Sequence, residues 1–198
     1  MIPSTDRLWM FLFWTGSLLI ALATLRALVL PMDLVMPNMA HYLTDAPLAL
    51  IAHLVGGPLA LALAPFQLWA GLRQRRPALH RWTGRLYVLS VAVGGVGALA
   101  LVPDFTGSAF AAAGFVALGV LWLAFTGLGI WHARAGDLAA HRRWMLRSVA
   151  LTFGAVTLRL IMAPLMAAGW SVNDTYLITA WGCWVPNLIV IEYWLRRR

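Results

Sequence analysis

Two short basic stretches of the chain repeat one pattern of residues that could hold a cofactor. Each has a histidine followed by an arginine, then a tryptophan, and a second arginine three residues after the tryptophan. The residues are His80, Arg81, Trp82 and Arg85 in the first stretch and His141, Arg142, Trp144 and Arg147 in the second. Residues three apart on a helix share a face. Each stretch therefore predicts a paired tryptophan and arginine where a helix enters a membrane.

The two histidines have the chemistry to bind heme b. Bis-histidine ligation needs two imidazoles from different helices that face each other across one ring, and we expect His80 and His141 to lie at similar depth. Arg85 and Arg147 would then be available for the propionates, because a guanidinium forms forked hydrogen bonds with a carboxylate. The alternative is that both histidines are interfacial residues that meet lipid headgroups or the C-terminal carbonyls of the preceding helix.

A second set of polar residues, His53, Arg159 and Arg26, lies inside apolar stretches on the other side of the predicted membrane. A charge at such depth is costly, and its default interpretation is functional. Since no acidic residue lies in the same half of any span, Arg159 must meet an anionic ligand, a quinone carbonyl, or water and backbone carbonyls. We therefore predict a ligand site of His53 and Arg159, with Gln67 as a further candidate, and expect Arg26 to reach the headgroups.

Two further polar residues are predicted to have structural roles. Asn187, like Gln67, is expected to form hydrogen bonds between helices. Glu192 is expected to pair with a neighbouring arginine.

Composition identifies the setting in which these residues must act. The chain has 198 residues, of which 62% are hydrophobic and 11% charged, whereas a soluble domain is about half apolar and a quarter charged. Its formal net charge of +8 comes from arginine alone, and the arginines flank apolar runs, which argues against a nucleic-acid partner and favours contact with anionic lipid. Cys183 is the only cysteine, so neither an intrachain disulfide nor a cysteine metal cluster can form.

The apolar runs predict an all-α bundle of six transmembrane helices that fills the whole chain. The predicted spans are residues 8–30, 48–72, 86–102, 109–131, 144–167 and 176–195. The intervening segments, including 31–47, 73–85 and 132–143, are predicted as loops. The first run also contains a sequence resembling a signal-peptide cleavage site, but its length favours an uncleaved helix.

The distribution of charge predicts the orientation of the spans. The arginine-rich segments after spans two and four fall on the same side as both termini, and the aspartate-bearing segments fall on the other. Arginine is retained in the cytoplasm, so both termini are predicted to be cytoplasmic in a bacterial inner membrane.

An internal repeat is the predicted origin of the two basic stretches. His80 and His141 are 61 residues apart, as are Arg73 and Arg134. Spans two to five are therefore interpreted as a four-helix core made of two parallel copies of one helical hairpin, although chance and similar hairpin lengths would also give this spacing.

The pattern around these residues resembles the DUF2306 family of predicted bacterial membrane proteins. The resemblance runs from about Leu48 to about Arg159 and rests on His53, Gln67, Arg73, His80-Arg81, Gly84-Arg85, Tyr87, His141 to Arg147 and Thr157-Leu158-Arg159. It implies an architecture and no particular activity. A weaker likeness to the cytochrome b561 class implies histidines paired across core helices to hold two b-type hemes. Here the residue 61 positions after His53 is Gly114, so the second heme would lack a ligand.

Two classes of function follow from the sequence. The first, towards which the histidine placement leans, is a membrane redox protein that binds heme b, a quinone or both. The alternative is a non-enzymatic carrier, ligand-binding or assembly protein with an anion or polar-ligand pocket at His53 and Arg159. The hydroxyl residues and Cys183 form no arrangement with a base and a carboxylate, so no catalytic residue is assigned.

Overall fold

Helices form nearly all of the structure, a computed structural model that describes residues 4–197, with side chains from Leu8 onward. No strand occurs in that range, which confirms the all-α prediction. The helices are α1 Ser4–Leu25, α2 Met32–Val35, α3 Tyr42–Asp45, α4 Pro47–Leu68, α5 Ala70–Arg75, α6 Pro77–Ala100, α7 Ala109–Arg134, α8 Leu138–Thr152, α9 Gly154–Ala167, α10 Val172–Gly182 and α11 Val185–Arg196, with 3₁₀ turns at Arg26–Leu28, Pro37–Met39 and Val102–Asp104.

Five helical segments of the described chain are long and apolar enough to cross a membrane: Leu8–Leu28, Pro47–Leu68, Pro77–Asp104, Ala109–Arg134 and Leu138–Ala167. The predicted sixth span is not one continuous helix, because α10 ends at Gly182 and α11 begins at Val185. Pro186 lies in the first turn of α11, where a proline is tolerated, whereas within a continuous helix it would remove a hydrogen bond and clash with the preceding turn. The predicted span 176–195 is therefore broken just before Pro186.

Two predicted loops are largely helical, and this changes the setting of both histidines. The segment 73–85 contains the end of α5 and the start of α6, and the segment 132–143 contains the end of α7 and the start of α8. Pro77 begins α6, a position that suits proline, and the side chain of Asp137 caps α8 by accepting from the Ala140 amide at 2.9 Å. His80 and His141 are consequently each the fourth residue of a helix.

Helices α4 and α6 pack with their backbones in contact. A Cβ atom added at Gly94 would lie 2.6 Å from the Gly57 amide nitrogen, and one at Gly97 would lie 2.7 Å from that of His53. Only glycine allows this approach, and small residues at a helix interface are what let two membrane helices come this close.

The segment predicted as the loop 31–47 is a folded cap over one end of the bundle. Residues 31–46, called the cap below, contain α2, α3 and a 3₁₀ turn, and they bury Met32 and Tyr42 against Leu50 and Leu101. His41, predicted as a loop residue, has Nε2 3.1 Å from the carbonyl oxygen of Asp104. We call this the cap end, and the opposite end, where α6 and α8 begin, the arginine-rich end.

Candidate functional site

His80 and His141 lie within electrostatic range of each other at the arginine-rich end. Nδ1 of His141 is 2.8 Å from the carbonyl oxygen of Gly129 on α7. Nδ1 of His80 is buried and has no hydrogen-bond partner among the described residues. Arg73 and Arg81, both cationic, also lie within electrostatic range of His80. Two imidazoles from different helices are thus found at the same end of the bundle.

The predicted tryptophan–arginine pairs are present in both copies. The guanidinium carbon of Arg85 lies 4.7 Å from the centroid of the Trp82 ring, and that of Arg147 lies 4.6 Å from the Trp144 ring. Such stacking is a favourable cation–π contact. The prediction of i, i+3 pairing is therefore confirmed at both sites.

Only the second pair is also joined to a carboxylate. Arg147 Nη2 donates to Glu192 Oε2 at 3.0 Å, and its Nε donates to Oε1. The predicted pairing of Glu192 with an arginine is thus confirmed, in a bidentate form that connects α8 with α11. Among the described residues Arg85 has no corresponding ion pair.

A buried network of hydroxyl groups lies two helical turns further into the bundle, and the sequence did not predict it. The Tyr87 hydroxyl is 2.7 Å from both Ser148 Oγ and Thr152 Oγ1. Trp122 Nε1 donates to Thr152 Oγ1 at 2.8 Å, and Thr126 Oγ1 lies 2.7 Å from Ser148 Oγ. The network joins α6, α7 and α8. One signal could have indicated it: Tyr87 and Ser148 each follow a motif histidine by seven residues, which places them on the same helix face.

At the cap end, the structure brings His53 and Arg159 within electrostatic range of each other. Arg159 Nη1 donates to the Ala155 carbonyl at 2.9 Å and Nη2 to Thr24 Oγ1 of α1 at 2.8 Å. His53 Nδ1 is 3.1 Å from the Gly94 carbonyl oxygen, which leaves Nε2 for another partner. No carboxylate pairs with Arg159 among the described residues.

Tyr176 and Asn38 extend this polar group towards the cap, and neither was predicted. Tyr176 of α10 lies within electrostatic range of Arg159. Its hydroxyl accepts a hydrogen bond of 2.8 Å from Asn38 Nδ2 of the cap. Since a phenol can also donate, Tyr176 has a proton to offer on the side away from Asn38. This polar group thus combines side chains of α4, α9 and α10, and it is hydrogen-bonded to α1 and to the cap.

Gln67 does not belong to this pocket. It lies fourteen residues after His53 on the same helix, about 21 Å away at 1.5 Å per residue. Its Nε2 donates to Thr83 Oγ1 of α6 at 2.7 Å, so its assignment as a ligand-binding partner of His53 is wrong. The prediction of an interhelical hydrogen bond is confirmed.

Arg26 is exposed in the 3₁₀ turn after α1, and the prediction that it reaches the headgroups stays a prediction. The interhelical role predicted for Asn187 is confirmed. Asn187 Nδ2 donates to Thr157 Oγ1 at 3.0 Å and so joins α11 to α9.

Metal coordination finds little support in the donor groups. The described part of the chain has no group of three or more histidine, cysteine, aspartate or glutamate side chains that could hold a metal ion. Two imidazoles can still serve as axial ligands of a heme, because the porphyrin supplies the other four donors.

Together the fold and its apolar helices define a multi-pass α-helical membrane protein. The chain belongs to the DUF2306 family, described as a predicted membrane protein, which matches residues 50–195. No curated protein and no solved structure matches the chain. The family is therefore the one resemblance upheld, and nothing in the comparisons supports a likeness to the cytochrome b561 class.

Proposed function

We propose that this protein binds a small anionic or carbonyl-bearing molecule, such as a quinone headgroup, in the pocket of His53, Arg159 and Tyr176. It would act as a membrane carrier or ligand-binding protein. The observation that carries the proposal is the setting of Arg159, a cation within the bundle whose hydrogen-bond partners among the described residues are one hydroxyl and one carbonyl. An arginine does not lose its proton in proteins, so a charge in this position favours a ligand that supplies negative charge or a strong acceptor.

The neighbours of Arg159 suit such a ligand. A neutral imidazole carries one donor and one acceptor, and the hydrogen-bond partner of His53 Nδ1 is a carbonyl oxygen, which favours a proton on Nδ1 and an acceptor at Nε2. Tyr176 adds a hydroxyl donor. A fixed cation, an acceptor and a donor on different helices could orient a planar head group with oxygen atoms at both ends.

Ligand-dependent stabilisation of variants tests the proposal. The probes are ubiquinone-1 and inorganic phosphate, and the measurement is the Tm of the purified protein in detergent. The wild type should be stabilised by one of them, Arg159→Leu should lose the shift, and Arg159→Lys should keep the charge but weaken the shift because the planar fork is gone. The matched control is Arg26→Leu, which removes an exposed arginine near the same end and should keep the full shift. An Arg159→Leu variant that responds like the wild type would refute the pocket.

Six membrane crossings, with both termini in the cytoplasm of a bacterial inner membrane, are part of the same proposal. In this topology the helix pair α10–α11 forms the sixth crossing. The contacts at the two ends of the pair support this assignment, since Tyr176 contacts the cap and Glu192 contacts Arg147 at the arginine-rich end. A reporter active only in the periplasm, fused after Arg198, should give no signal, and a strong signal there would contradict this topology.

A tandem repeat of two parallel hairpins, α4–α6 and α7–α9, completes the proposed architecture. Support comes from the starts of α6 and α8, Pro77 and Leu138, which are 61 residues apart. Tyr87 and Ser148, also 61 residues apart, are directly hydrogen-bonded. Contact between equivalent positions is expected where a two-fold pseudo-symmetry axis passes between the two copies.

Heme b binding between His80 and His141 is the second candidate function. The observation in its favour is that the two imidazoles come from different helices and lie within electrostatic range of each other, with Arg73 and Arg81 also in range of His80 as partners for propionates. Bound heme would supply one-electron transfer, and the chain would then be a membrane redox protein.

The visible spectrum tests the heme candidate. Protein expressed with added heme should show a Soret band and a sharp α band on reduction. His80→Ala and His141→Ala should each abolish the low-spin spectrum, whereas His132→Ala, the control at the same end, should leave it intact. A folded but colourless wild type would rule out this function and leave the pocket at Arg159 as the remaining candidate.

A further inference from the structure

One face of α6 is exposed along most of the helix and is apolar. Trp82, Leu86, Leu89, Val93 and Val96 are between 40% and 62% exposed, and their spacing of three and four residues places them on one side of the helix. In a helix that crosses a membrane, such a stripe faces the hydrocarbon chains of lipids. Trp82 is at the arginine-rich end of the stripe, where interfacial tryptophans lie level with the headgroups.

Two exposed arginines stand at the same end of this stripe. Arg81 and Arg85 are four residues apart on α6, so they share a face. The Arg85 guanidinium stacks on the exposed Trp82 ring. Neither arginine forms an ion pair with a carboxylate among the described residues, and the segment 73–85 holds five arginines and no acidic residue. The surface therefore lacks an internal source of negative charge.

We propose that this surface binds an acidic phospholipid, with its phosphate held by Arg81 and Arg85 and an acyl chain lying along Leu86, Leu89 and Val93. Guanidinium groups bind phosphate through parallel N–H···O hydrogen bonds, and basic residues beside a transmembrane helix attract anionic headgroups. The apolar stripe continues directly from the arginines, so one lipid molecule satisfies both parts. This combination of charge and hydrocarbon contact favours a lipid over a soluble anion or an acidic protein segment.

On α8 the arginine that corresponds to Arg85 is Arg147, and its contacts explain why the lipid site is assigned to α6 alone. Arg147 already forms a bidentate pair with Glu192, and its side chain is only 13% exposed. The Arg147 guanidinium is therefore bound to a protein carboxylate, where Arg81 and Arg85 are proposed to bind a lipid phosphate. The two copies of the motif therefore differ in the source of their counter-charge, which is protein in one and lipid in the other.

Lipid retention measured by native mass spectrometry tests the proposal on the purified full-length protein. The probes are phosphatidylglycerol and phosphatidylcholine, added at equal concentration to the detergent-solubilised protein. We expect preferential retention of phosphatidylglycerol, reduced about 30-fold in Arg81→Gln/Arg85→Gln, since each arginine near a headgroup contributes about a factor of five. The double variant Arg81→Lys/Arg85→Lys should retain most of the phosphatidylglycerol binding. This result would show that substitution at these two positions does not by itself disrupt the fold.

The matched control is Arg142→Gln/Arg143→Gln, which removes the same charge from exposed positions on α8 and should reduce retention much less than the α6 variant, because neither residue lies beside the apolar stripe of α6. Equal losses in the two glutamine variants would overturn the site, because only net charge would then matter. Equal retention of phosphatidylcholine would also overturn it. Displacement of phosphatidylglycerol by millimolar inorganic phosphate would assign the arginines to a soluble anion, and would equally refute the lipid.

Discussion

The two copies of the His–Trp–Arg motif begin at the same point of their helices but face different surroundings. His80 and His141 are 61 residues apart, whereas Trp82 and Trp144, like Arg85 and Arg147, are 62 apart. One residue turns an α-helix by about 100°. With the histidines held on the same side, the tryptophan–arginine pair of the second copy is therefore rotated, and Arg147 meets Glu192 of α11 while Arg85 remains exposed. A shift of one residue is enough to give one motif two different partners.

The hairpins that carry these motifs are also held together in different ways. In the first, a side chain at Gly94 would collide with the backbone of Gly57. In the second, a Cβ at Gly129 would instead approach Met145 Sδ, at 2.5 Å, and a methionine side chain can move aside. At these two glycines, the first hairpin is thus closed by contact between backbones and the second by a side chain that can move.

Alanine substitution at these two glycines should give the largest difference between the hairpins. Gly94→Ala should lower the free energy of unfolding by about 3 kcal/mol, because two helices must separate along their contact. Gly129→Ala should change it by less than about 1 kcal/mol, since Met145 can adopt another rotamer. Unfolding by SDS titration in detergent micelles measures both values. Equal effects would mean that the close approach of α4 and α6 is not what holds the first hairpin.

Removal of the arginine side chains should give a smaller contrast between the two motifs. Arg147→Gln should lower the free energy of unfolding by about 1–2 kcal/mol, because it leaves Glu192 without its bidentate partner in a partly buried setting. Arg85→Gln should stay within about 0.5 kcal/mol, as expected of an exposed side chain without a carboxylate. The same SDS titration compares the variants, in lipid-free micelles so that bound phospholipid does not contribute. If Arg85→Gln lowered the free energy of unfolding more than Arg147→Gln, the interpretation that the second motif is rotated towards Glu192 would be wrong.

Much of this arrangement could be predicted from the sequence because depth and helical periodicity decide which side chains can meet. They were sufficient to pair Trp82 with Arg85 and to predict that Glu192 meets an arginine. Applied to Gln67, the same rise per residue would have separated it from His53, because the two residues are fourteen positions apart on one helix.

Helix ends and breaks were harder to predict. Hydropathy marks where the hydrocarbon begins, whereas α6 and α8 start earlier, at Pro77 and after the Asp137 cap. The cap was missed because its short turns depend on burial of Met32 and Tyr42 against the ends of longer helices.

Hydroxyl groups were the other omission, since a serine or threonine can bond to the carbonyl of its own helix and gives no sign of a tertiary partner. Thr152 does both: its Oγ1 donates to the Ser148 carbonyl at 2.9 Å and accepts from Trp122 at 2.8 Å. Only the fold determines that such groups from α7 and α8 form one network with Tyr87 of α6.

The contact between Tyr87 and Ser148 should give the smallest of the three effects, and it tests whether the two hairpins are joined at equivalent positions. Tyr87→Phe removes a buried hydroxyl that bonds to Ser148 and Thr152, and interhelical hydrogen bonds within membranes contribute about 0.6–1.7 kcal/mol. We expect a loss of about 1 kcal/mol, against less than about 0.3 kcal/mol for Tyr193→Phe, whose side chain is 56% exposed. The double variant Tyr87→Phe/Ser148→Ala should lose less than the sum of the single changes, because both remove the same bond. Additive losses in this cycle would show that the two residues are stabilised independently, and the contact would then say nothing about symmetry between the hairpins.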